Sequence, residues 1–268
     1  MRIDAHVDGD FSQLKGSPEG YVSQCRERGI EQIVLLDFPE KTREAYRAVP
    51  DFVIPVPYLE MDAVTLEDLH ACFDWGARGI KFYLPQFSYG DSRYDPLYHA
   101  IAERGGVAVF HTGYIWTRFR PDVYLQLSPE NPRPVDITLM QPAAVDCLAR
   151  RHPTLNILMA HFGNPWWEEA WQVTSANHNV YADLSGGTAC RRSLRMWREM
   201  LAPDGDQDAY VLSKLLFATD VIYFASPGEE GFETYCAFYD HLYEAVGASP
   251  EQQERINRGN AAELFAME

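Results

Sequence analysis

Basic residues are scarce in this chain. Its 268 residues include 23 Lys and Arg against 39 Asp and Glu, a formal net charge of −16. A nucleic-acid backbone or an anionic membrane needs basic patches, so neither is expected as the main partner. The acidity reads as solubility. Cysteine is also sparse: Cys25, Cys72, Cys147, Cys190 and Cys236 are scattered, odd in number and form no CxxC pair. That argues against a disulfide framework and fits reduced thiols in a cytoplasmic protein. No apolar run approaches the ~20 residues that a membrane span needs. No basic and apolar leader precedes the first strand-like run, so no signal peptide is expected. No Gly/Ser linker, charge block or low-complexity tract divides the chain, which points to one domain. Nor is there a GxGxxG or P-loop, the phosphate loop usual in open doubly wound sheets.

What the chain does have is enough apolar material for a large core, 46 % hydrophobic residues with 23 % charged, and a repeated alternation. Short β-branched or apolar runs are each followed by a helical pattern, the signature of βα units around a parallel sheet. Strand-like runs fall at residues 2–7, 32–38, 52–59, 79–84, 107–111, 156–161, 180–184 and 215–220. Pro55 and Pro57 weaken the third. Ser17-Pro18, Thr65 with Asp68 three residues on, Asp95-Pro96 and Ser249-Pro250 mark helix starts. The spacing predicts helices near 18–28, 41–48, 95–105, 142–151 and 191–201, a helix with three tryptophans after Asn164-Pro165, a polar loop after 201, and two closing helices. Eight strands, each with a helix, is the number a single-domain (β/α)8 TIM barrel needs.

In such barrels chemistry gathers where strands end. The first run ends in His6 and Asp8, the fifth in His111, the sixth in His161 and the eighth in Asp220, while Lys81 lies within the fourth. His6 and Asp8 are two apart on an extended chain, so both face one side, which in a barrel can be the interior. Together these residues would make a mixed nitrogen and oxygen site for one divalent ion. Zn²⁺ is expected first, with Mn²⁺ or Fe²⁺ as alternatives. Taken singly, a strand-end histidine is more often structural, and Asp220 could cap the following segment. Their joint placement on four strands changes that balance. His70, His99, His152, His178 and His241 lie in or after helices and read as structural or surface residues.

The chain resembles the amidohydrolase superfamily, in particular its amidohydrolase-2 branch of aminocarboxymuconate-semialdehyde-decarboxylase-like metal-dependent proteins. The resemblance rests on Ile3-Asp4-Ala5-His6-Val7-Asp8, Val109-Phe110-His111-Thr112-Gly113, Met159-Ala160-His161-Phe162-Gly163-Asn164-Pro165-Trp166-Trp167, Tyr181-Ala182-Asp183-Leu184-Ser185, Leu216-Phe217-Ala218-Thr219-Asp220 and the ending Gly259-Asn260-Ala261-Ala262-Glu263-Leu264-Phe265. It implies that His6, Asp8, His111 and Asp220 hold the ion. It further implies that Asp220 orients or deprotonates the ion's water, and that His161 is an acid/base or substrate-polarising group. The family's first motif is usually His-x-His, and this chain has Asp8 in the second place. A carboxylate there adds negative charge, weakens Lewis acidity and favours harder ions such as Mn²⁺. Lys81 stands on the strand where some members carry a carboxylated lysine bridging two metals. A lysine paired with a carboxylate, or binding a substrate carboxylate, is the alternative.

The stretch from His111 to Pro142 is too long for a simple βα loop, and residues 114–138 read as an insertion on the active-site face. It contains Tyr114, Trp116, Arg118, Phe119, Arg120 and Tyr124. Arginines among aromatics suit a planar substrate with a carboxylate, because guanidinium and carboxylate pair in two parallel hydrogen bonds. Arg118, Arg120, Tyr83, Trp116 and Trp166 are therefore candidate substrate contacts, with Trp167 and Tyr223 as further wall residues. A structural flap or a dimer contact is the alternative for this segment. The expected function is metal-dependent hydrolysis of a C–N or C–O bond in a small, aromatic or unsaturated carboxylate-bearing compound. A non-oxidative decarboxylase and a catalytically silent ligand-binding barrel are the competing readings. The expected partner is a small molecule, and a homodimer is compatible with the sequence.

Overall fold

A computed structural model describes residues 1–9, 17–82, 84–115, 136–186, 189–202, 206–221 and 231–266, with side chains left aside at 206–208. Eight parallel strands run through them: β1 (Arg2–Asp8), β2 (Ile30–Leu36), β3 (Val53–Pro55), β4 (Gly79–Phe82), β5 (Val107–His111), β6 (Asn156–Ala160), β7 (Val180–Asp183) and β8 (Leu215–Leu216). They pair in chain order, β1 to β3 and β4 to β8. Pro55 and Pro57 cannot donate to a ladder, so β3 is short, as its prolines predict. The chain still bridges to β4: the Lys81 amide donates to Pro57 O (2.9 Å), and the Leu59 amide donates to Lys81 O (3.1 Å). The ring closes between the last and first strands, where the Ala5 amide donates to Phe217 O (2.9 Å) and the Asp220 amide to His6 O (2.8 Å). This is the expected (β/α)8 barrel.

Alternation decides which side chains fill the barrel. Ile3, Ala5, Val34, Leu36, Ile54, Val56, Val107, Val109, Leu158, Tyr181, Leu216 and Ala218 form one buried cluster inside. Their sequence neighbours Ile33, Leu35, Val53, Ile80, Phe82, Ala108, Phe110, Ile157, Met159, Ala182 and Phe217 face outward, into the layer under the helices. The period of two thus sorts each strand into an inner and an outer row. Ala261, Leu264 and Phe265 of the C-terminal helix pack on the inner cluster.

Helix starts follow the sequence signals. Ser17 caps α1 (Pro18–Glu27), and Thr65 with Asp68 forms a full capping box on α3 (Leu66–Asp74). Ser249 with Gln252 does the same on α10 (Pro250–Glu254). The expected helix at 142–151 is α5 (Pro142–Arg151). Three expectations are corrected. The polar stretch after residue 201 contains a helix, Asp206–Leu212, held by the buried Val211 and Leu212. The last helix is not one regular helix, because a wider π turn at Arg255–Gly259 interrupts it, and Ile256 O there accepts from the Phe217 amide (2.8 Å). His161 lies beyond β6 rather than within it.

Candidate metal centre at the barrel mouth

The inner rows of four strands each lead to one polar residue at the mouth. On β5, Val107 and Val109 lead to His111. On β7, Tyr181 leads to Asp183, and after β8, Ala218 leads to Asp220. On β4 the inner position between Ile80 and Phe82 is Lys81. His111, Asp183 and Lys81 follow from period-two alternation, while Asp220 lies past β8 with a left-handed backbone (φ 58°). His6, Asp8 and His161 need a further departure from it. In β1, Ile3 and Ala5 already face inward, yet His6 follows Ala5 directly. The pairing with β2 slips between Asp4 and Val7, one extra residue on β1, and this bulge turns His6 and Asp8 inward. His161 has the parity of the outward-facing Ile157 and Met159. A left-handed backbone at His161 (φ 66°) and Phe162 (φ 45°) swings its ring into the site.

The ligand atoms of His6, Asp8 and Asp220 lie within 4.8 Å of one another, and so do those of His6, His161 and Asp183. His6 Nδ1 sits 3.3 Å from Asp183 Oδ2, while His6 Nε2 sits 3.5 Å from Asp220 Oδ1 and 3.5 Å from Lys81 Nζ. Because a carboxylate only accepts, the first contact places the proton on Nδ1 and leaves Nε2 as an acceptor. His161 is fixed the same way. Its Nδ1 is 3.1 Å from Ser185 O, an acceptor, while the Ser185 hydroxyl donates to Asp183. His161 Nε2 then accepts from His111 Nδ1 at 3.1 Å, which makes Nε2 of His111 an acceptor as well. The network therefore presents imidazole nitrogens of His6 and His111 in the form that binds metal.

Asp183 was quoted in the sequence only as part of the family's motif, with no role assigned. It is fully buried and organises the site. Besides His6, its Oδ1 accepts from the His161 amide (3.0 Å) and the Ser185 amide (2.9 Å). The signal was available: it closes the inner row of the seventh strand. Asp4 is a second residue the sequence left without a role. It accepts from the amides of His6 (3.2 Å) and Thr219 (3.0 Å) and from Thr219 Oγ1 (2.7 Å), tying β1 to β8. Gly186 is a third. At φ 61° it passes so near the site that a Cβ would lie 2.2 Å from Asp220 Oδ2 and 2.8 Å from His161 Nδ1. Only glycine fits there.

Burial and neighbours set the charges. Burial, then the adjacent His6 ring, pulls the His161 pKa down to about 3, and burial with the facing His161 holds His111 well below its usual value. Burial alone would raise Asp183, but hydrogen bonding and charge from His6, with His161 and Ser185, prevail and lower it. Asp220, with 26 % of its side chain open, is raised well above the carboxylate range by burial and by Asp8 beside it. Burial lowers Lys81 against the pull of Asp8, Asp183 and Asp220. Three carboxyl groups crowd around imidazole nitrogens here, a donor set that fits a divalent ion.

Of the expected substrate contacts, Trp166 is half-buried and stacks on the exposed Tyr114, with ring centroids 5.5 Å apart and planes 24° apart. Trp167 belongs elsewhere, buried against Trp197 (5.5 Å) under the helices. Tyr83, Trp116, Arg118, Phe119, Arg120, Tyr124 and Tyr223 lie outside the described residues, as does most of the insertion. Among the remaining histidines, His152 bonds Asp95 (2.9 Å), His178 bonds Pro153 O (3.0 Å) and His99 pairs with Glu103 (3.2 Å), all away from the mouth. A groove of about 650 Å³ between Pro39, Leu59, Val64 and Trp75 is lined by none of the mouth residues.

A barrel whose strand ends converge on imidazoles and carboxylates defines a class of metal-dependent enzymes, and comparison with known proteins gives the family. The amidohydrolase family profile matches residues 37–267, and the chain belongs to that family and to its metal-dependent enzymes. The match begins after His6 and Asp8. No curated protein sequence matches the chain. Among solved structures, an uncharacterized TIM-barrel protein from Bordetella bronchiseptica is similar at 20 % identity and TM-score 0.71, covering 99 % of this chain and 98 % of that one. A probable 2-pyrone-4,6-dicarboxylic acid hydrolase from Acinetobacter baumannii, with citric acid bound, aligns at 13 % identity and TM-score 0.66, with 99 % of each chain covered. A dihydroxybenzoic acid decarboxylase from Polaromonas, with manganese and 2-nitroresorcinol bound, aligns at 14 % identity and TM-score 0.63, covering 99 % of this chain and 97 % of that one. At these identities the likeness establishes the shared fold. Among the described residues, no helix is long and apolar enough to cross a membrane.

Proposed function

We propose that the chain is a metal-dependent hydrolase of a small, planar compound carrying a carboxylate. The observation that carries this reading is the convergence of His6, Asp8 and Asp220 within 4.8 Å at the barrel mouth. His6, Asp8, His111 and Asp220 would hold one divalent ion, Zn²⁺ or Mn²⁺. A bound ion of this kind supplies Lewis acidity and lowers the pKa of its water from 15.7 toward about 7.

The chain's own residues supply the rest. Asp183 fixes the His6 tautomer, and His161 fixes that of His111. Asp220, at the open edge, would take a proton from the attacking water as its oxygen adds to the carbon of the C–N or C–O bond, and would return it to the nitrogen or oxygen that leaves as that bond breaks. His161 acts as acid or base only if its Nε2 parts from His111, so its first duty in this arrangement is orientation. The stacked Tyr114 and Trp166 offer a flat wall to a planar substrate. Arg118 and Arg120 remain the proposed carboxylate partners, with Tyr83 and Trp116 beside them. The hydrolase and decarboxylase named above both act on carboxylic acids, which agrees with this substrate class.

Non-oxidative decarboxylation is the second reading, favoured by the likeness to a dihydroxybenzoic acid decarboxylase. An acid at the mouth would then deliver a proton to the carbon that keeps the bonding pair as CO₂ departs.

Elemental analysis of the purified protein is expected to find about one divalent ion per chain. A panel of unsaturated and aromatic carboxylate lactones, esters and amides, turned over in isotopically labelled water, is expected to yield labelled product. Asp220→Asn should abolish turnover with the fold intact. Absence of metal, with no activity gained from Zn²⁺ or Mn²⁺, overturns the proposal. CO₂ release without label selects the second reading.

A further inference from the structure

Two strands bring rings to the mouth instead of polar groups. On β2 the inner row runs through Val34 and Leu36, and the next position of that parity is Phe38. On β3 it runs through Ile54 and Val56, and the next is Tyr58. A second observation fixes the direction of Tyr58. It pairs in parallel register with Lys81, and register partners send their side chains to the same face of a sheet. Lys81 points inward, with Nζ 3.5 Å from His6 Nε2. Leu59, the residue after Tyr58, packs in the outer layer. The Phe38 and Tyr58 rings meet edge to face, with centroids 5.6 Å apart and planes 75° apart.

Phe38 is out of place by local rules. It occupies the N-cap of α2 (Pro39–Ala48) and makes no side-chain cap bond there, where Ser, Thr, Asp or Asn would stabilise the helix. It is also 50 % exposed, so much of its apolar surface gains nothing from the core. A residue that breaks the local rule without serving the core is a mark of a functional position.

We propose that Phe38 and Tyr58 are specificity-determining residues, which receive the ring of an unsaturated or aromatic substrate while its reacting bond lies over the polar strands. This rests on the reading of the mouth as the site of a metal-dependent hydrolase, and it names the part of the mouth that selects the substrate's body. Adjacent strands lie about 4.8 Å apart, so Tyr58 stands one strand from Lys81, within reach of a molecule at the ion. Two rings set edge to face offer a flat ring both an offset-stacked and an edge contact. A saturated ring of the same size lacks the π face for either.

Calorimetric titration with benzoate and with cyclohexanecarboxylate tests this, since the two acids share ring size and charge and differ in the π face. It is run on the wild type, Phe38→Ser, Phe38→Tyr and Tyr58→Leu, with Zn²⁺ and without added metal. The wild type is expected to prefer benzoate about fivefold or more. Phe38→Ser, which supplies α2 with an ordinary cap residue, is expected to lose most of that preference, and Phe38→Tyr to keep it. Tyr58→Leu is expected to lower it as well. Zn²⁺ affinity by chelator competition is expected to be the same in the wild type and both Phe38 variants, whereas a merely structural Phe38 would shift it. Equal binding of the two acids by the wild type overturns the proposal, and that measurement needs no variant. So does a preference that survives Phe38→Ser or Tyr58→Leu, or one lost together with Zn²⁺ affinity. If the wild type binds no Zn²⁺, the hydrolase reading falls, and the ring preference measured without metal still decides the role of Phe38 and Tyr58.

Discussion

Asp183 touches three parts of the site at once, and its replacement should show it. Its two oxygens reach His6 Nδ1, the His161 amide and the Ser185 amide. Asp183→Asn keeps the shape but loses the charge that fixes the His6 proton on Nδ1. Removing such an outer carboxylate from a metal-bound histidine typically weakens metal binding by about 10–100-fold. We expect that loss in a chelator titration, together with a lowered unfolding midpoint. Unaltered affinity would show that His6 needs no help from Asp183. Residue identity explains why His111 and Lys81 were legible in the sequence: each continues the inner row of its strand. His6 and His161 were found for a weaker reason, their place at strand ends. Their inward direction depends on a bulge and on a left-handed turn that no residue type announces. Asp183 is harder to read in the sequence, because the apolar Leu184 extends the seventh run past the strand's true end at Asp183.

Elements carry their own signals, and caps are the clearest. Thr65 Oγ1 accepts from the Asp68 amide (3.1 Å), and the Asp68 carboxylate accepts from the Thr65 amide (3.1 Å). The motif was readable because both bonds are local. Thr65→Ala should cost about 1 kcal/mol of stability in urea unfolding. It should leave metal affinity unchanged, because α3 lies outside the barrel and its cap touches no mouth residue. A change in affinity would mean that α3 couples to the mouth. The helix at Asp206–Leu212 was missed for the complementary reason. Its seven residues show little periodicity, and burial of Val211 and Leu212 holds it in place.

At the scale of the whole molecule, the mouth makes the metal-free protein sensitive to acid. His161 is held neutral down to about pH 3, and His111 is also depressed. An unfolded histidine takes up a proton near ~6.5. Below that pH the unfolded chain binds more protons than the native one, so stability falls as pH falls from ~6.5 toward 3. Asp183, also depressed, adds to the loss once pH drops through the ordinary carboxylate range. Asp220 is raised and acts in the opposite direction, one group against the two imidazoles above the carboxylate range. Urea midpoints measured in a chelator should therefore drop between about pH 7 and pH 5. A flat profile would show that the buried imidazoles are charged in the native state. Divalent metal should raise the midpoint at pH 7, since an ion that binds only the folded form stabilises it by mass action.

The sequence by itself determined the eight-fold alternation, most helix starts and a set of metal-capable residues at the strand ends. Periodicity, caps and breakers act within a few residues, so a linear reading reaches them. The tertiary structure alone decided how those side chains meet. The slip in β1, the left-handed turn at His161, the closure of β8 on β1 through Asp4 and Thr219, and the passage of Gly186 beside Asp220 all depend on chain segments far apart in sequence. The placement of Lys81 against His6 is of that kind too: 75 residues separate them, and only closing the barrel brings the two head groups to one point.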